Sequence, residues 1–368
     1  MHIVQSGGGV HRYLSMLLSN VNKDLFKNIL VCSQNYNMED YRCITDEIEQ
    51  ITMCREISLV KDLTAIRKIR HFINLYNPDI VYCHSSKGGA LGRLATLGIK
   101  NKPKIIYTPH GWSFNMRVSK FKRTIYIFIE KLLARYTDYI IAVSEAEKTS
   151  ALSNKICKEN QMKLIYSGVE VNKIQQTKTI EKKALNIPQD AYIVGIAARI
   201  SEQKAPDIFV ESARLIKQQI PEAYFIIVGD GELRASINEL IMKYKLSDSF
   251  LITGWVSDAI PYLGLFDVAV LTSRWEAFGL VLVEYMAVGK PIVATNTDAI
   301  PYLIENEKNG LLVLVDNPKS VCNAVMTIRN NPPLREKLVK NGLEMAKDKF
   351  DIMRVVEEHE RLFQQLIQ

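Results

Sequence analysis

The chain has 368 residues and a formal net charge of +7, a length that fits two domains at roughly 150 residues each. With 47% hydrophobic and 24% charged residues, 18 Gly and 12 Pro, it is not a disordered, collagen-like or disulfide-scaffold chain. No apolar run approaches the roughly 18 residues of a membrane-spanning helix, and the first residues carry neither a charged nor an apolar leader region, so a cytoplasmic protein is expected.

In chain order, short β-branched and aromatic runs predict strands at 2–4, 28–32, 51–59, 79–83, 104–108, 139–143 and 163–165. Helical periodicity lies between several of them, at 10–18, 62–76, 120–136 and 146–157. The polar stretch 171–185 has no convincing core face and reads as a linker. The rhythm then resumes, with strands at 192–197, 224–228, 250–252, 268–271, 291–294 and 310–315. Helices are expected at 206–219, 233–244, 279–288 and 319–329, and a last amphipathic helix at 351–368. Near-continuous apolar strands alternating with amphipathic helices imply parallel sheets covered on both faces. The expected fold is α/β: two Rossmann-like doubly wound domains, 1–170 and 186–350, with 351–368 belonging to the first.

Such sheets bind ligands beyond the carboxyl ends of their strands, so those ends supply the candidates. Gly7, Gly8 and Gly9 follow the first strand and precede a helix. Glycines there let backbone N–H groups approach a phosphate, although a tight turn uses the same residues. His110, in Thr108-Pro-His-Gly-Trp112, projects from the end of strand 104–108. In the second half, Arg199 and Lys204 lie between a strand and Pro206, a helix-opening residue. A guanidinium fork and a point charge together suit a diphosphate. Gly229 and Glu232 follow strand 224–228, and Val256 follows Gly254-Trp255. The most informative stretch runs from Glu276 to Glu284. Gly279 opens a helix, and the N–H groups of Phe278, Gly279 and Leu280 would face an anion. A carboxylate next to an anion makes sense as an acceptor for hydroxyls, a sugar ring's at Glu276 and a ribose's at Glu284. Compensation of the helix dipole by Glu276 and a solvated Glu284 are the plainer alternatives.

Several chemistries lack their residues. No Ser/His/Asp or Cys/His ordering suggests acyl transfer. There is no Asp-x-Asp to bridge a metal to a diphosphate, and no GxGxxG with a ribose-binding acid for a nicotinamide cofactor. Neither metal nor cofactor is therefore expected. The six cysteines (Cys32, Cys43, Cys54, Cys83, Cys157, Cys322) form no CxxC pair and no zinc-spaced set with histidine. Charge is uneven: Lys100 to Arg135 holds nine Lys or Arg against the single acid Glu130, which points to an anionic partner.

Taken jointly, Gly7–Gly9, Thr108-Pro-His110-Gly111, Arg199…Lys204, Gly229-Asp-Gly-Glu-Leu233 and Glu276-x7-Glu284 resemble family 4 glycosyltransferases of the GT-B fold. The stretch His84-Ser-Ser-Lys-Gly-Gly-Ala-Leu-Gly-Arg-Leu94 is similar to members that build bacterial capsule, O-antigen and exopolysaccharide. The resemblance implies two domains facing across a cleft, with the donor bound mainly by the second. It implies a retaining transferase that takes a hexose or N-acetylhexosamine from a nucleotide-diphospho-sugar, most simply UDP-linked, without a metal ion. On this pattern Arg199 and Lys204 neutralise the leaving diphosphate, Glu276 holds the sugar, Glu284 the ribose, and Val256 lies by the base. His110 contacts the donor sugar, and Gly8 and Gly9 approach its phosphate. The basic, aromatic segment holding Arg117, Lys120, Lys122 and Arg123 would meet an anionic membrane surface carrying a lipid-linked or saccharide acceptor. A solvated helix face is the alternative, and no nucleic-acid motif accompanies the charge. A catalytically silent sugar-nucleotide-binding subunit and a sugar-nucleotide 2-epimerase are the competing readings of the whole chain.

Overall fold

Apolar runs such as Ile29–Ser33 and Ile80–His84 are buried along nearly their whole length, which only a sheet covered on both faces allows. The computed structural model describes every residue except Ser6 and Arg55, and the chain divides into two units. The first comprises Met1–Gly168 and Ile352–Gln368, the second Val169–Asp351.

In the first unit seven strands form a parallel sheet: β1 (His2–Val4), β2 (Ile29–Ser33), β3 (Glu47–Ile51), β4 (Ile80–His84), β5 (Lys104–Thr108), β6 (Tyr139–Ala142) and β7 (Met162–Leu164), in the order β3-β2-β1-β4-β5-β6-β7. The order reverses between β1 and β4, where Val4 pairs with His84. One face of this sheet packs through Ile3, Val31, Val81, Tyr107 and Ile140. Helix Ser86–Ala95, absent from the helices expected from periodicity, lies directly on the sheet. Its glycines are the reason it can: a Cβ at Gly89 would come 2.3 Å from the Tyr107 ring, and one at Gly92 2.4 Å from Cys83 Sγ. The last helix, Ile352–Ile367, packs on helix Gly9–Asn20 and buries Val355, Val356, His359, Leu362 and Phe363.

The second unit holds six parallel strands: β8 (Tyr192–Ala197), β9 (Ala223–Val228), β10 (Phe250–Ile252), β11 (Val268–Leu271), β12 (Ile292–Thr295) and β13 (Leu311–Val313), in the order β10-β9-β8-β11-β12-β13. Its reversal lies between β8 and β11. Helix Pro206–Gln219, opened by Pro206 as expected, packs against helix Pro318–Asn330 on one face.

Three boundaries differ from the sequence reading, each for a physical reason. The expected strand at 51–59 ends at Ile51 and starts earlier, at Glu47, because this is an edge strand whose acidic outer residues hide its period. The expected linker 171–185 belongs to the second unit. Helix Val171–Gln176 buries Val171 and Ile174 and packs on helix Leu280–Ala287. Helix Pro332–Phe350 escaped the reading because its buried stripe is narrow: Leu338, Gly342, Ala346 and Phe350, four residues apart.

Candidate active site

In the second unit, the loops that leave β8, β9, β10, β11 and β12 are stitched together at the carboxyl edge of the sheet. After β8 the backbone N–H of Ile200 donates to Asp230 O (2.9 Å) in the loop after β9. That approach is close enough that a Cβ on Gly229 would sit 2.2 Å from Ala198 O, and Gly229 has a φ of +140°. Only glycine fits here. Gly229 also bridges to Gly254 and donates to Thr253 Oγ1 (3.3 Å), which brings Val256, half-buried, and the exposed Trp255 beside the same edge.

Across the reversal, Lys204 Nζ and Glu276 Oε2 form an ion pair between the loops after β8 and β11. Ser273 Oγ donates to the same carboxylate oxygen (3.2 Å). Both partners are mostly buried. The turn that carries Lys204 is tightly determined. Arg274 donates to Glu202 O (3.0 Å) and to Asp207 and Asp316 (both 2.6 Å). Burial alone would lower the pKa of Arg274, but its bonds to the two aspartates raise it. Gln203 Nε2 donates to Trp275 O (3.0 Å), and Thr272 Oγ1 donates to Lys204 O (2.9 Å) and Ala205 O (3.0 Å). Ala205 is held at a φ of +47°, a left-handed conformation that costs about 1–3 kcal/mol for a residue with a Cβ. Glu276 is fixed in turn through its backbone N–H, which donates to Asp298 Oδ2 (3.0 Å). Burial raises the Asp298 pKa, with the Glu276 charge adding to it against the opposing bond from that N–H.

Arg199 Nε donates to Glu232 Oε2 (3.0 Å), with both side chains half exposed. Each expected cation is thus already engaged by a carboxylate. Gly279 is left-handed (φ +91°) and caps helix Leu280–Ala287, leaving Phe278 buried behind it. Leu280 opens the helix, and Glu284, one turn further on, is buried rather than solvated.

In the first unit the reversal is lined by histidines and hydroxyls, and the segment after β4 adds one ion pair, Lys87–Asp62 (2.6 Å). Gly8 caps helix Gly9–Asn20 at a φ of +65°, and a Cβ on Gly7, Gly8 or Gly9 would meet no atom within 4 Å. The loop is therefore open rather than packed. His110, left-handed at φ +51°, shares a hydrogen bond through Nε2 with His84 Nδ1 (3.1 Å). Its Nδ1 has no protein partner among the described residues. Gly111 N–H donates to Glu147 Oε1 and Val143 N–H to Glu147 Oε2 (2.9 Å). The Trp112 indole donates to Glu147 O (3.0 Å). Burial lowers the His110 pKa to about 3 and raises that of Glu147 to about 7.

Arg117, Lys120, Lys122 and Arg123 are all exposed, the last three on the first turn of helix Lys120–Ala134. Glu130, the sole acid of that region, is buried on Arg93 Nη2 (2.9 Å), so it does not offset the surface charge. Among the described residues no helix is long and apolar enough to cross a membrane.

The sequence reading passed over Arg274, Asp298, Glu147 and His84. Arg274 and His84 stand at strand ends, and a lone polar residue closing an apolar run is a usable signal. Glu147 follows Ser144 at capping-box spacing, and Ser144 Oγ does accept from its N–H (3.1 Å). Asp298 carries no such mark.

Comparison with known proteins was consistent across both units. The family model described as Glycosyltransferase Family 4 matches residues 7–173, and the one described as Glycosyl transferases group 1 matches residues 177–345. An Escherichia coli protein named UDP-Gal:alpha-D-GlcNAc-diphosphoundecaprenol alpha-1,3-galactosyltransferase is 28% identical over 358 residues, 92% of this chain and 91% of its own. An uncharacterized 41.2 kDa protein in the cps region of Klebsiella pneumoniae is 30% identical over 328 residues, 87% of each chain. Among solved structures, Anabaena HepE in complex with UDP and glucose is similar with a TM-score of 0.85 and 19% identity, covering 99% of this chain and 98% of that one.

Proposed function

The chain belongs to glycosyltransferase family 4, with the GT-B fold, and on that premise we propose that it transfers a hexose or N-acetylhexosamine, with retention and without a metal ion, from a UDP-sugar to a lipid-linked or saccharide acceptor in bacterial surface-polysaccharide assembly. The observation that carries the reading is the Lys204–Glu276 pair at the strand-order reversal of the second sheet, the place where doubly wound sheets bind their ligands. The name of the E. coli relative includes UDP-Gal and a diphosphoundecaprenol-linked GlcNAc, which supports both halves of the proposal.

The chemistry follows from the charges. As the bond between C1 of the sugar and the β-phosphate oxygen breaks, that oxygen keeps the electron pair. Lys204 and Arg199 turn from their carboxylates to the diphosphate and stabilise its growing charge, the largest lever on such a reaction. Glu276, released, accepts hydrogen bonds from sugar hydroxyls, and buried Glu284 accepts from the ribose. Phe278, Gly279 and Leu280 offer N–H groups to the phosphates, and Val256 and Gly229 flank the base and its nucleoside. The acceptor oxygen bonds to C1 on the face the diphosphate leaves, and its proton passes to the departing phosphate oxygen. Gly8 and Gly9 are assigned to the phosphate, and Nδ1 of His110 to the sugar.

The acceptor side of the proposal rests on helix Lys120–Ala134. Phe121, Ile125, Phe128 and Leu132 form an exposed apolar stripe at helical spacing, flanked by Lys120, Lys122 and Arg123. An apolar stripe with basic flanks suits the surface of an anionic bilayer, where a polyprenyl-diphosphate acceptor would be met. The test is transfer from labelled UDP-hexoses and UDP-N-acetylhexosamines to a short polyprenyl-diphosphate sugar in EDTA, with the product's anomeric configuration read by NMR. An α-linked product from an α-linked donor is expected. An inverted product, or activity only with added metal, overturns the mechanism.

A further inference from the structure

Four of the chain's six histidines lie together in the first unit: His2 on β1, His84 at the end of β4 and His359 on helix Ile352–Ile367 are buried, and His110 beyond β5 is half-buried. Three form a line. His2 Nδ1 meets His84 Nε2 at 3.1 Å, and His84 Nδ1 meets His110 Nε2 at 3.1 Å. The rings of each successive pair are stacked with centroids 5.4 Å apart. The charged group facing this line is the Met1 ammonium, which acts on His2 and His84, and the Asn28 side chain hydrogen-bonds His2. Tyr13 from helix Gly9–Asn20 sets its ring edge against His110 at 4.8 Å. The Tyr82 ring lies 4.1 Å from that of His84. His359 donates from Nδ1 to Val355 O (2.7 Å), because a carbonyl can only accept, so its Nε2 accepts from the Tyr13 hydroxyl (2.9 Å) or the Tyr82 hydroxyl (3.2 Å).

Two neutral imidazoles in contact through nitrogen need one donor and one acceptor. Three in a row therefore have only two consistent arrangements: all three protons on Nδ1, or all three on Nε2. We propose that His2 and His84 are positioning residues that fix the tautomer of His110, so that the state of the whole line decides whether His110 Nδ1 offers the donor sugar a proton or a lone pair. This rests on the assignment of His110 to the sugar made above. The backbone supports such a role, since His110 is held in the left-handed region and its neighbour Gly111 is tied to Glu147. Strain of this kind persists where the surroundings over-determine a residue's placement.

The experiment is nitrogen-15 NMR of the full chain labelled in histidine, without ligand and with UDP-glucose and UDP-galactose. Protonated and unprotonated ring nitrogens are read separately, with His2, His84 and His110 assigned by single His→Asn variants. One shared tautomer in all three rings is expected. A mixed pattern, or a charged ring at neutral pH, overturns the line whatever His110 binds. A shared tautomer that no nucleotide sugar perturbs at His110 leaves the line intact but overturns its coupling to the donor. For function, His84→Phe keeps a ring and removes both nitrogens. It should lower kcat/KM for transfer by about tenfold, the size of one hydrogen bond, with little change in the binding of UDP alone. His84→Asn, which can still pair with His110 Nε2, should recover part of the loss. An equal loss in UDP affinity, or no recovery by Asn in a folded protein, would mean that His84 is only a packing residue.

Discussion

The two sheets reverse their strand order in the same way, yet the edges at those reversals are chemically opposite. In the second unit the edge is ionic: Lys204–Glu276, Arg199–Glu232 and Arg274 between two aspartates. In the first it is chiefly a line of imidazoles and hydroxyls behind an open glycine loop, with the single ion pair Lys87–Asp62 after β4. An ionic edge can exchange its internal carboxylates for an incoming diphosphate at little net cost in charge, because each cation stays paired throughout. The imidazole line offers an anion no fixed positive charge, only the N–H groups of the glycine loop beside it, but it can present a directed hydrogen bond. One fold used twice thus supports two tasks, and the loops rather than the sheets divide them.

The comparison breaks first at Lys204. On the proposed mechanism, Lys204→Ala removes the cation that faces the leaving group and leaves Glu276 without its partner, so kcat should fall by about 10²–10³. A loss under tenfold, measured at saturating donor, contradicts its place in the ionic edge. Next in size is the basic helix. Replacing Lys120, Lys122 and Arg123 with Gln should weaken binding to anionic vesicles by about 100-fold, at about 1 kcal/mol per charge. Neutral vesicles serve as the control, and unchanged sedimentation would place that helix away from the membrane.

The imidazole line makes a pH prediction. His110 and His359 are held by burial at about 3 and about 4, and burial also puts His2 and His84 well below their ordinary value near 6.5. An unfolded chain binds protons at these rings before the folded one does. The rings' contribution is therefore full above pH 6.5 and falls as the pH drops toward the folded values, by about 1.4 kcal/mol per pH unit for each ring kept neutral. Glu147, raised to about 7, works the other way, losing stability as the pH rises from its ordinary value near 4.5. One carboxyl against four imidazoles leaves the acid side dominant. Tm should decline steadily from pH 6.5 to 4.5, and a flat profile would show that the rings are not held neutral. The smallest effect is at the rim. Glu232→Gln frees Arg199 from an exposed pair worth about 0–1 kcal/mol, so Tm should barely move while UDP affinity rises slightly.

Much of this was legible in the sequence, and for identifiable reasons. Strands such as Tyr192–Ala197 and Lys104–Thr108 announce themselves because burial on both faces demands unbroken apolar runs. Arg199, Lys204 and Glu276 stand out as charges at the ends of such runs. What stayed hidden depends on distance in the fold. Nothing in the spacing of His2, His84, His110 and His359 shows that they meet, since they arrive on two strands, a loop and the final helix. Helix Ser86–Ala95 was hidden by Gly88, Gly89 and Gly92, residues that weaken a helix in isolation and here allow it to lie against Tyr107 and Cys83. The pairing of each cation with a carboxylate was equally invisible, because it joins loops after different strands.

The most direct test of the ionic edge as a diphosphate site is the thermal shift of wild type and Lys204→Ala with UDP, in EDTA. UDP at about 100 times its dissociation constant should stabilise the wild type by about 2.7 kcal/mol, a shift of several degrees, and the variant far less. A folded wild type that UDP does not shift, or a variant that shifts as much as the wild type, would contradict the account.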